Sequence, residues 1–89
     1  MTVNRWKTFS KSQQLLMIGS EIMRAKVWQN KNEQNFAAAL ERGRKLVELS
    51  FADVQWKDSK PMLVGLQQEL KNFAAKTRTD DIGILYRAL

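Results

Sequence analysis

An 89-residue chain with neither histidine nor cysteine lacks the ordinary general base of neutral pH, the thiol nucleophile, the disulfide and the two commonest zinc ligands. Its length fits one domain, residues 1–89, and at 44% apolar residues it has the material for a hydrophobic core without such staples. Fifteen Lys and Arg against nine Asp and Glu give a net charge of +6, spread along the chain rather than gathered in one tract, which favours solubility over a dedicated polyanion site.

In chain order, Met1–Phe9 reads as an irregular arm with two aromatic anchors, Trp6 and Phe9. It has no apolar stretch of the kind that opens a signal peptide. No later run approaches the length of a membrane span, so a cytoplasmic location and no membrane partner are expected. Ser10 followed by Gln13 has the spacing of a capping box and starts a helix. Leu15, Leu16, Ile18, Ile22, Met23 and Val27 continue it with helical period to about Trp28, and Gly19 on that face admits a close neighbour. Gln29–Asn32 is a polar turn. Asn32 caps a second helix, with Glu33 at its positive end. Phe36, Ala39, Leu40, Gly43, Leu46, Val47 and Phe51 form one face of that helix, and Glu41, Arg42, Lys45 and Glu48 the other, with Glu41 and Lys45 placed for an i,i+4 pair.

Beyond Phe51 a short turn is expected at Ser50–Asp53, with Trp56 packing back on the bundle. Asp58-Ser59-Lys60-Pro61 predicts a third helix start, because proline suits a first turn. Leu63, Leu66, Leu70 and Phe73 then make a narrow stripe that fades at Lys76–Arg78. Thr79 and Asp80 precede a short fourth helix with Ile82, Leu85, Tyr86 and Leu89 on one side. The predicted fold is all-α: an antiparallel three-helix bundle with a short fourth C-terminal helix. Its expected core is Leu15, Ile18, Ile22, Phe36, Leu40, Val47, Leu63, Leu66, Leu70 and Phe73. The four glycines, all inside helical patterns, read as packing contacts.

Catalysis finds little chemistry to use. Ser10, Ser12, Ser20, Ser50 and Ser59 have no histidine to activate them and no lysine three residues on. Asp80-Asp81, the one adjacent pair of acids, reads as a helix start. The Asp53–Asp58 loop lacks the ligand number and glycine of a calcium loop. The expectation is a non-enzymatic protein with no catalytic residues, no metal and no cofactor. The better clue is a second stripe on the first helix, Met17, Glu21, Arg24 and Trp28, rich in residue types enriched at protein interfaces. It points to a protein–protein interaction module whose partner is itself, as a homodimer, or another protein. The alternative is a basic, sequence-tolerant nucleic-acid-binding protein using Arg42, Arg44 and Lys45. A helix-turn-helix reader is disfavoured, because the one turn short enough leads into Asp80 and Asp81, the wrong sign for phosphate.

Ile18-Gly19 with Ile22, followed by Ala39-Leu40 and Leu46–Leu49, resembles a tetratricopeptide-type helical hairpin over about a third of the chain. The two halves stand about seven residues further apart than that repeat allows, and there is no second copy. The resemblance implies an αα-hairpin and does not carry the family's peptide binding.

Overall fold

The capping box is formed as the sequence dictates: the Ser10 hydroxyl accepts from the Gln13 N–H at 3.2 Å, and the Gln13 side chain accepts from the Ser10 N–H at 2.8 Å. The helix it opens, α2 (Lys11–Trp28), follows a single helical turn, α1 (Val3–Trp6), where an irregular arm was expected. The Thr2 hydroxyl caps that turn by accepting from the Arg5 N–H. Asn30 then takes a left-handed conformation (φ 62°), and asparagine tolerates this at a helix C-terminus better than most residues. Asn32 caps α3 (Glu33–Phe51) through the Asn35 N–H. A 3-10 turn (Val54–Ser59) leads into α4 (Lys60–Ala74), which carries Pro61 in its first turn, and α5 (Gly83–Arg87) closes the chain. The computed structural model describes residues 1–89, and this helical order gives the all-α bundle of three long helices with a short C-terminal one.

Helix α3 is central, packing against α2 on one side and α4 on the other, while α5 lies on α2. The core joins Ile18, Ile22 and Ala25 of α2 to Phe36, Ala39, Leu40 and Val47 of α3 and to Leu63, Leu66, Leu70 and Phe73 of α4. Trp6, Trp56, Ile82 and Leu85 complete it from the short elements. Of the ten core positions expected from periodicity, Leu15 alone is half-buried, packing at the margin. Leu16, Met23 and Val27 share the helical pattern yet lie outside the core, exposed. The reason is that α2 is apolar on two faces, and only one of them meets the bundle.

A buried polar network holds the N-terminal arm to the bundle end. The Trp6 indole N–H donates to the Ser50 hydroxyl at 3.1 Å, and that hydroxyl donates to the Leu46 carbonyl at 2.9 Å. The Gln14 amide donates to the Trp6 carbonyl at 2.9 Å and to Asp53 at 2.8 Å, while its oxygen accepts from the Trp56 indole. No buried side-chain nitrogen or oxygen is left without a partner. Burial pushes the Asp53 carboxyl up, but hydrogen bonds from Gln14 and Gln55, helped by Lys7, outweigh it and hold the group below the usual aspartate value.

The glycines divide. A Cβ on Gly19 would meet the Tyr86 ring at 2.8 Å, so this glycine admits α5. Gly43 faces Glu21 Cβ at 3.6 Å and Leu70 at 3.9 Å, a contact with room for a methyl group. Gly65 has no neighbour within 4 Å and is not a packing contact, because it lies on the solvent side of α4.

Candidate interaction face

Successive residues on a helix advance by about 100°, so α2 divides into faces that the bundle treats differently. Ile18, Ile22 and Ala25 point into the core, and Gln14 heads the buried polar network. Opposite them, Leu16, Ser20, Met23 and Val27, at i, i+4, i+7 and i+11, form a stripe on the solvent side. Leu16 is 65% exposed, Val27 55% and Met23 41%. With Arg24 and the half-exposed ring of Tyr86 they line a shallow depression.

The stripe expected to lie opposite the core, Met17, Glu21, Arg24 and Trp28, instead occupies the flank of α2 that turns toward α3. Met17 is half-buried and Glu21 buried. Arg24 and Trp28 are exposed. The Arg24 guanidinium binds the Glu21 carboxylate rather than stacking on Trp28. Trp28 stands further along this flank, at the C-terminal end of α2, and lines neither depression.

Across from this flank, α3 contributes Arg42, Lys45, Leu46 and Leu49, and the two helices enclose a surface groove of about 470 Å³ that Met1 also lines. Its floor is Met17, Leu46 and Leu49, all half-buried. The Glu21 side chain, 5% exposed, sits beneath two cations: its oxygens accept from Arg24 and, at 2.6 Å, from Arg42 Nε. Removing both cations would leave a buried carboxylate unpaired, an arrangement that costs several kcal/mol, roughly 3–5. Ser20 and Arg24 line both the groove and the depression beside it, so the two form one continuous face.

The three cations of the nucleic-acid alternative are not brought together. Arg42 and Lys45 line the groove. Arg44 lies toward α4, where it pairs with Glu41 at 2.8 Å and Glu48 at 3.0 Å. Those hydrogen bonds raise its already high pKa and hold Glu41 below the usual carboxylate range. The expected Glu41–Lys45 pair is therefore absent, because the longer, forked side chain of Arg44 reaches Glu41 first. Lys45 is left without an ion pair.

Met17, Glu21 and Arg24 are legible from the helical period of one element. Leu49, with Ala38, is legible as apolar surface on the outer side of α3, whereas Leu46 is expected on its core face; that the two line one groove depends on where α2 stops covering α3, a tertiary fact. Leu16, Met23 and Val27 belong to the helical period of α2 but not to its expected core, and with Ser20 their 4-3-4 spacing was the available signal of a separate stripe. No three acidic side chains converge as metal ligands would, and no helix is long and apolar enough to cross a membrane. Compared with protein-family models, curated proteins and solved structures, the chain matches none.

Proposed function

We propose that this protein is a non-enzymatic interaction module that associates with a second copy of itself through the solvent side of α2. The observation that carries the reading is the uncovered stripe Leu16–Ser20–Met23–Val27. A two-fold axis passing between Ser20 and Met23 of antiparallel α2 helices sets Leu16 against the partner's Val27 and Ser20 against the partner's Met23. Large faces large at the ends and small faces large at the centre, the self-complementarity that an isologous dimer requires. Tyr86, beside the stripe, extends the apolar area. Contiguous exposed apolar area of this kind marks association sites more often than scattered hydrophobic residues do. Trp28, 39% exposed at the end of α2, borders the face.

A dilution series of amide NMR spectra tests the reading. Concentration-dependent shifts confined to α2 residues 16–27 and to α5 support it; shifts spread evenly over the chain, or none, reject it.

The nucleic-acid alternative keeps one supporting observation. Lys11 donates to Ser59 at 2.6 Å and stacks over Trp56 at 4.9 Å, which brings the start of α2 to Lys57 and Lys60, with Arg5 and Lys7 on the adjoining arm. Both indoles at this pole, Trp6 and Trp56, are fully buried, so it offers no aromatic platform for unstacked bases. A labelled-duplex titration at two salt concentrations separates this reading from self-association, because backbone binding weakens steeply with salt.

A further inference from the structure

We infer that the groove between α2 and α3 is a docking site for an acidic, amphipathic helical segment of a partner protein. The inference rests on α2 being an interaction surface but not on self-association, since its apolar floor and the cations of α3 lie off the stripe, and only Ser20 and Arg24 are shared with it. The groove offers charge complementarity over an apolar floor. Arg24, Arg42 and Lys45 line the groove against the single carboxylate of Glu21, leaving a surplus of two positive charges.

Glu21 does not merely neutralise. It binds Arg24 through one terminal nitrogen and Arg42 through Nε, so each guanidinium keeps N–H groups free. Both side chains remain more than half exposed, at 63% and 54%, while their shared anchor is buried. Two cations are thus held in fixed positions before any ligand arrives, which lowers the ordering cost of binding a carboxylate. Lys45, one turn along α3 from Arg42 and without an ion pair, supplies a third contact.

The floor decides the class of partner. Met17, Leu46 and Leu49 form an apolar trough that a phosphodiester backbone would leave uncovered, and no aromatic side chain lines it to stack a base. A small anionic amphiphile would leave much of its surface in water in a groove open to solvent. An amphipathic helix satisfies both features, with apolar anchors at i, i+4 and i+7 in the trough and glutamates along the flank that meets the cations.

The test is a fluorescence-anisotropy titration with three probes. They are a labelled helical peptide carrying leucines at i, i+4 and i+7 flanked by glutamates, the same peptide with glutamines for glutamates, and a labelled duplex oligonucleotide. The glutamate peptide is expected to bind about tenfold or more tightly than the glutamine peptide, and increasingly weakly as salt rises. Lys45→Glu, at an exposed and unpaired position, and Arg24→Gln, which leaves Arg42 on Glu21, should each weaken it by roughly tenfold, with circular dichroism unchanged. Equal affinity for the two peptides, insensitivity to both substitutions, or binding of the oligonucleotide in place of the glutamate peptide overturns the inference. Leu16→Ser/Val27→Ser, which removes the stripe's apolar ends without adding charge beside Arg24, should leave the peptide affinity within about twofold of the parent, so failure of the dimer and failure of the groove are read separately.

Discussion

Gln14 is the residue on which the N-terminal end of the fold depends. Its amide satisfies the Trp56 indole, Asp53 and the Trp6 carbonyl at once, in a site without water-exposed alternatives. Gln14→Leu, close in volume, leaves the Trp56 indole without a partner and takes one bond each from Asp53, which keeps Gln55, and from the Trp6 carbonyl, which keeps the Phe9 N–H. A buried donor left unsatisfied costs about 1–3 kcal/mol, the loss expected in urea melts followed by tryptophan fluorescence. An unchanged midpoint would mean that water reaches this corner. The same network sets the acid limb of stability. Asp53 titrates lower in the folded chain than its ordinary value of 3.8, so the unfolded state takes up the proton first as pH falls. Its contribution is fully present above about pH 4 and is lost as pH drops through the depressed folded value. Asp53→Asn should therefore flatten that limb while lowering stability at neutral pH. The exposed carboxylates Asp80, held low by Arg78, and Asp81, held low by the Gly83 N–H and by Lys26, add little because solvent screens them.

At the scale of elements, the glycines separate helix propensity from packing. Gly65→Ala meets nothing and should stabilise by about 1 kcal/mol through propensity alone. Gly43→Ala has room beside Glu21 and Leu70 and should also stabilise, by about 0.5–1 kcal/mol. Gly19→Ala drives a methyl group into the Tyr86 ring, so it should destabilise by about 1 kcal/mol or more and raise hydrogen exchange in α5. Thermal melts of the three variants check the order; a stabilised Gly19→Ala would place α5 elsewhere. The sequence had marked Gly19 and Gly43 alike, since both fall on apolar faces, and the difference lies in what faces them from another element. Local signals were legible to the residue: Ser10 with Gln13, Asn32, and Pro61 just inside α4 place the three long helices. The arm was legible in part: Trp6 and Phe9 anchor it as expected, but its helical turn and the partners that hold Trp6, Ser50 above all, were not, because Ser50 lies far along the chain. The faces of α2 were mixed for a related reason. Leu15 and Leu16 are equally apolar, and only the positions of α3 and α5 decide which is covered.

At the scale of the whole molecule, α2 is packed by α3 on one flank and by α5 on the other, and its remaining side carries leucine, methionine and valine into solvent. Each copy bears a charge of +6, so association between copies works against electrostatic repulsion and should strengthen as salt screens it. Polyanion or acidic-peptide binding has the opposite salt dependence. The most direct measurement is sedimentation velocity over a concentration series at low and high salt, on the parent chain and on Leu16→Asp/Val27→Asp. A monomer–dimer equilibrium that shifts toward dimer with concentration and with salt in the parent, and a variant that stays monomeric at unchanged helicity, is the predicted result. A parent that remains monomeric throughout, or a variant that dimerises as well as the parent, would contradict it.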